Sequence, residues 1–280
     1  MDDNLLKQLV ETAIAEDVGN GDHSSLACIP ENAEGTARLI IKQKGILAGV
    51  KVAEKVFSTI DPDVKFFPLI NDGAMVEYGN IAFRVSGRIQ TILKMERLVL
   101  NIMQRMSGIA TSTREYVDML SGLKTKILDT RKTAPGLRFL EKEAVRIGGG
   151  VNHRMGLYDM IMLKDNHIDY AGGIEKAISL TNDYLRRNNL KLKIEIEARS
   201  IDDVKTIIET GGMDIIMLDN FNITDLKSAV NLINGKYETE ASGGITLETI
   251  RSYAECGVDF ISVGALTHHV KSMDMSLKAV

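Results

Sequence analysis

Two short segments carry side chains that could do chemistry on an anion. DTRKTAPG, Asp129 to Gly136, sets Arg131 beside Lys132, and GGGVNHRMG, Gly148 to Gly156, sets His153 beside Arg154. Both read as turns rather than helix faces, and Lys164 follows in KDNH. Guanidinium forks match carboxylate and phosphate oxygens, so these five cations suit a substrate with several negative charges. Glu197 and Asp219 have the opposite sign and suit a divalent cation or sugar hydroxyls. Ser242, Gly243 and Gly244 in ASGGI, and Gly264 in SVGAL, could turn backbone N–H groups toward a phosphate. Together these residues describe a phosphorylated sugar and a polyanionic partner. An isolated Arg-Lys pair is usually only a solvated turn, and a glycine run such as IGGGV is more often a tight turn than a phosphate cradle. Lys164 is also compatible with a Schiff-base lysine of an aldolase, and its neighbours leave that choice open.

The elements that must position these residues alternate regularly after Lys124. Candidate strands are KIL (126–128), MIML (160–163), LKIEIE (192–197), DIIML (214–218), KYETEA (236–241) and DFISVG (259–264). Helical patterns near 140–147, 174–187, 201–210, 223–233 and 246–255 separate them. Successive β/α units imply a parallel sheet, and this spacing favours barrel-like closure. Loops at the C-terminal ends of barrel strands converge on one face, and each strand here delivers a polar group or glycine to that rim. Before this region, Leu5, Leu6, Leu9, Val10, Ala13 and Ile14 predict a first helix. The turn-rich EDVGNGDHSS closes it, and short β-like runs follow with one helical insert at 50–60. A further helix is predicted over 92–120, linking an α+β domain to the barrel.

Composition bounds the function classes. The chain has 280 residues, 44% hydrophobic, with 34 Lys plus Arg against 38 Asp plus Glu and a mean hydropathy of -0.03. Such a chain forms one large or two moderate domains. A net charge of -4 excludes a general nucleic-acid or membrane-surface binder, so any cation cluster is local. Cys28 and Cys256 lack metal or disulfide spacing and fit a reducing cytoplasm. No run of about 18 apolar residues suggests a membrane span.

The long segment DTRKTAPGLRFLEKEAVRIGGGVNHRMGLYDMIMLKDNHI resembles the signature of the quinolinate phosphoribosyltransferases, also called carboxylating nicotinate-nucleotide pyrophosphorylases. The likeness extends through EDVGNGD, ERLVLNIMQRMSGIAT, IEIEARS, IMLDNF, EASGGI and SVGALTH, covering nearly the whole chain. The resemblance implies an α/β protein with an N-terminal α/β sandwich domain (1–105), an incomplete α/β barrel (106–265), and the 266–280 segment packed on the first domain. It implies a Mg²⁺-dependent reaction of quinolinate with 5-phosphoribosyl 1-pyrophosphate, giving nicotinate mononucleotide, pyrophosphate and carbon dioxide for NAD biosynthesis. Arg131, His153, Arg154 and Lys164, with Arg97 of a neighbouring subunit, then match the quinolinate-binding cations of at least a homodimer. Lys132 falls near the pyrophosphate. Glu197 and Asp219 match the acids at the ribose hydroxyls and magnesium, held directly or through water. Ser242, Gly243, Gly244 and Gly264 match the 5-phosphate loop. A paralogue of the same fold linked to molybdenum transport is the alternative within this resemblance.

Overall fold

The computed structural model describes residues 3–280. In chain order its helices and strands are α1 (Asp3–Asp17), α2 (His23–Cys28), β1 (Glu34–Ile41), β2 (Gly45–Ile46), α3 (Val50–Ile60), β3 (Lys65–Pro68), β4 (Met75–Val76), β5 (Ile81–Arg88) and α4 (Ile89–Met119). There follow β6 (Lys126–Leu128), α5 (Arg138–Gly148), β7 (Ile161–Leu163), α6 (Asp165–Ala171), α7 (Ile174–Arg187), β8 (Ile194–Ala198), α8 (Ile201–Thr210) and β9 (Ile215–Asp219). The last are α9 (Ile223–Ile233), β10 (Glu238–Ser242), α10 (Ile250–Ala254), β11 (Phe260–Ser262), α11 (Ala265–His268) and β12 (Met275–Ala279). The chain divides into two compact units. Residues up to Arg114, 133–149 and Ala265–Val280 form the first, and Glu115–Lys132 with Gly150–Gly264 form the second.

The first unit is built on an antiparallel sheet in the order β12-β1-β5-β3. Alternation along β1 and β5 sends Leu39, Ile41, Phe83 and Val85 into the core. Val52, Ala53, Val56 and Phe57 recur at helical spacing on α3 and are buried. The rings of Phe57 and Phe83 meet edge to face at 6.4 Å between centroids. On α4, Ser107 is fully buried, and its hydroxyl accepts the Ala48 N–H at 2.9 Å. Four residues of the turn read in DHSS instead open α2, where the Asp22 carboxylate accepts the Ser25 N–H at 3.1 Å. Six residues are too short to show helical periodicity, so the cap is their only sequence signal.

The division between units differs from the 105/106 boundary read in the sequence. The first unit runs to Arg114 and takes in α5, which the alternating pattern had placed in the barrel. No punctuation marks the change, because α4 continues unbroken for 31 residues. An ion pair with a buried carboxylate joins α5 to α4. Arg105 donates from Nε at 2.8 Å and Nη2 at 2.6 Å to Glu141 Oε1, and Glu141 is 1% exposed.

The second unit is a six-stranded parallel sheet in the order β6-β11-β10-β9-β8-β7. Chain-consecutive strands β7 to β11 lie side by side, and β6 joins beyond β11, as in a barrel wound in one direction. The circle stays incomplete: β6 and β7 are not paired, and only Val151 bridges Leu128 at that seam. Ser200 and Asn222 cap α8 and α9, their side chains accepting the Asp203 and Asp225 N–H groups. Among the described residues, no helix is long and apolar enough to cross a membrane.

Close approach within the first unit gives a test of this packing. A Cβ on Gly108 of α4 would fall against the Lys271 carbonyl oxygen and lie 3.0 Å from its carbon, both backbone atoms with little freedom to move. Gly108→Ala is therefore expected to destabilise the protein by about 1–3 kcal/mol, read as a lowered midpoint of thermal unfolding.

Candidate active site

Every strand-end residue singled out in the barrel region falls in the second unit, and Arg97 falls in the first, exposed on α4. At the end of β6, Asp129 is fully buried. Its carboxylate accepts the Asn152 Nδ2–H at 2.6 Å and the His153 backbone N–H at 2.9 Å. This fastens the segment beyond Val151 to the neighbouring strand end. Arg131 and Lys132 follow Asp129 and are exposed, the Lys132 N–H donating to Thr130 Oγ1 at 3.1 Å.

Arg154 turns its guanidinium inward, with Nη1 3.3 Å from the Met160 carbonyl oxygen. Burial and then the charge of Arg131 lower its pKa. Two like-charged guanidiniums near enough to disturb each other leave an excess of positive potential between them, which favours an anion there.

Lys164 is the N-cap of α6, so KDNH is a helix start rather than the loop expected from sequence. The Lys164 N–H donates to His167 Nδ1 at 3.0 Å. Glu197, on β8, is 8% exposed. Burial first, then repulsion from Asp219, raises its pKa, and Lys164 acts the other way. Asp219 ends β9 in register with Ser242 at the end of β10. The structure thus brings Lys164, Glu197 and Asp219 together, and a repelling carboxylate pair fits a divalent cation.

The loop after β10 is held from β9. Asn220 has a left-handed φ of 57°, its N–H donates to the Ser242 carbonyl at 2.8 Å, and its Nδ2 donates to Asp219 Oδ2 at 2.5 Å. Gly243 and Gly244 also have positive φ, 98° and 60°. A Cβ on Gly243 would lie 2.6 Å from Asn220 Cγ and 2.9 Å from its amide nitrogen, so glycine lets this loop close on Asn220. The helix expected directly after ASGGI begins only at Ile250, which leaves loop amides rather than a helix end to meet an anion. Gly264 follows β11 directly.

His153 differs most from its sequence reading as one more rim cation. Its side chain is 6% exposed, with Nε2 2.9 Å from Glu195 Oε2 and 3.3 Å from Glu240 Oε2. Nδ1 accepts the Arg154 N–H at 2.7 Å. Burial alone would lower the imidazole pKa, and the two carboxylates reverse that and raise it. Burial and then Glu240 raise the pKa of Glu195. Sequence reading passed over Glu195, Glu240 and the locking role of Asn220. The period-two spacing of IEIEA, which puts Glu195 on the same strand face as Glu197, was the available signal.

Two sequence profiles cover this architecture. "Quinolinate phosphoribosyl transferase, N-terminal domain" matches residues 22–107 and its C-terminal counterpart matches 109–278. A chloroplastic nicotinate-nucleotide pyrophosphorylase [carboxylating] of Arabidopsis thaliana is 47% identical over 98% of this chain and 82% of its own length. A mitochondrial quinolinate phosphoribosyltransferase [decarboxylating] of Nicotiana glauca is 46% identical over the same shares. Among solved structures, NadC from Streptococcus pyogenes superposes with a TM-score of 0.93 at 36% identity, over 100% of this chain and 99% of that one. With both domain profiles matched in order along one two-domain fold, the chain belongs to the quinolinate phosphoribosyltransferase family.

Proposed function

We propose that the protein transfers the phosphoribosyl group of 5-phosphoribosyl 1-pyrophosphate to quinolinate, with loss of carbon dioxide, to form nicotinate mononucleotide. The observation that carries this reading is the opposition of charge at the strand ends. The Arg131–Arg154 pair suits a dianion, and the Glu197–Asp219 pair suits a cation-bridged sugar phosphate.

Arg131, Arg154 and Lys164 neutralise the two carboxylates and hold the pyridine nitrogen toward the ribose. Lys132 accompanies the departing pyrophosphate, while the Gly243–Gly244 loop holds the 5-phosphate through its amides. Glu197 and Asp219 take the ribose hydroxyls and are the residues that would hold Mg²⁺. When bound, that ion supplies charge neutralisation for the leaving pyrophosphate. As the bond to pyrophosphate breaks, positive charge develops on the ribose and the ring nitrogen adds to it. The alkylated ring then draws in the electron pair left when the adjacent carboxylate departs as carbon dioxide, and a proton replaces it. The side chains orient and neutralise throughout, and none acts as a nucleophile.

The proposal includes a homodimer in which Arg97 of one subunit completes the quinolinate site of the other. A reducing compartment such as the cytoplasm suits the two free thiols, Cys28 and Cys256.

The direct test is release of carbon dioxide from carboxyl-labelled quinolinate, which should require 5-phosphoribosyl 1-pyrophosphate. Nicotinate lacks one carboxylate and should bind about 2–5 kcal/mol more weakly, because a cation loses its partner; comparable turnover of nicotinate would refute dianion selection. Glu197→Gln and Asp219→Asn should each lower turnover by about a hundredfold. Both should leave quinolinate affinity, measured by calorimetry, within about twofold of the unmodified protein. Arg97→Ala and Lys132→Ala should each be inactive, and subunit exchange between them should restore about a quarter of the activity, because one site in each mixed dimer is intact. No recovery after exchange is verified by mass spectrometry would rule out the shared site.

A further inference from the structure

The cluster beneath the rim is the least expected feature of the barrel. Glu195 on β8 and Glu240 on β10 are 0% and 1% exposed, and none of their four carboxylate oxygens receives a well-aligned hydrogen bond from any described residue. Two such carboxylates are costly to bury unless they serve a partner. Their partner is the His153 imidazole, whose Nε2 sits between them at 2.9 and 3.3 Å.

The other ring nitrogen decides what the cluster can do. Nδ1 lies against the Arg154 amide N–H at 2.7 Å, which leaves Nε2 as the ring nitrogen turned to the two carboxylates. The same arrangement leaves the ring without an N–H to offer a substrate carboxylate. The imidazole therefore faces its own protein at both nitrogens.

The backbone around it explains why. Residues 152–154 run beside the unpaired seam between β6 and β7, where Val151 supplies only one bridge. Asp129 holds this segment by Asn152 and by the His153 N–H, Glu195 and Glu240 hold it by the His153 ring, and the ring holds the Arg154 N–H. The guanidinium one residue beyond is one of the two whose mutual repulsion marks the anion site.

We propose that Glu195 and Glu240 are positioning residues of the quinolinate site: they grip His153 as a strut across the barrel interior, and the strut fixes where Arg154 meets the substrate. His153 on this account contributes placement rather than a substrate contact. The inference rests on the proposed function and deepens it.

A double-mutant cycle read by calorimetry tests it, with melting curves confirming that each variant is folded. Glu195→Gln keeps the shape and removes one of the two charges that face the buried imidazole, and it should weaken quinolinate binding by about tenfold. Glu240→Gln should do the same. Affinity for 5-phosphoribosyl 1-pyrophosphate should change by less than about twofold in both, a split that general loosening of the fold would not produce. In a His153→Ala background neither substitution should weaken quinolinate binding further, because each acts only through the ring. Losses that add to that of His153→Ala, or equal weakening of both substrates, would overturn the inference while leaving the proposed function standing. No quinolinate binding by the unmodified protein would overturn both.

Discussion

The buried carboxylate of Asp129 is the contact on which the arrangement of the rim depends. It lies at the end of β6, beside the one seam the parallel sheet does not close, and it accepts hydrogen bonds from two successive residues of the segment that must border that seam. A carboxylate that far from water is tolerable only when its oxygens are satisfied, so the segment and the carboxylate hold each other in place. Arg131 leaves one side of this junction and Arg154 the other. The positions of both guanidiniums follow from one buried acid.

Charge is sorted by depth as well as by sign. Exposed cations, Arg131, Lys132 and Lys164, stand at the rim, whereas Glu195 and Glu240 lie fully inside the barrel. Glu197 sits between these levels on the same strand as Glu195, and the Asp219 carboxylate is tethered by Asn220. The carboxylates at the bottom face the His153 imidazole, and those of Glu197 and Asp219 lie nearer the mouth. Residue type alone does not separate the two levels; depth in the barrel does.

Much of this was legible in the sequence because parallel barrels repeat one physical rule. The strands read at 126–128, 214–218 and 259–264 lie within a residue or two of β6, β9 and β11, and the polar residue after each strand is at the rim. The rule failed where length or partnership intervened. Helix α6 starts immediately after Lys164, and its seven residues are too few for apolar periodicity to declare them. Helix α5 has the spacing of a barrel helix, yet the Glu141–Arg105 pair joins it to the first unit. His153 was legible as a cation but not as the neighbour of two buried carboxylates, because these come from strands about 40 and 90 residues further along, and no local pattern announces such a meeting.

Strand β12 has a consequence for how the protein is made. It pairs antiparallel with β1, joining Ala37 to Ala279 and Ile41 to Met275, so the sheet of the first unit draws its edge from a strand made long after β1. The parallel strands of the second unit all lie within 126–262 and can pair while that edge is still inside the ribosome. Until β12 arrives, β1 presents an unpaired edge to other nascent chains. The first unit therefore closes its sheet only after the strands of the second have been made, and the interval in which β1 lacks this partner spans the translation of the residues between Ile41 and Met275.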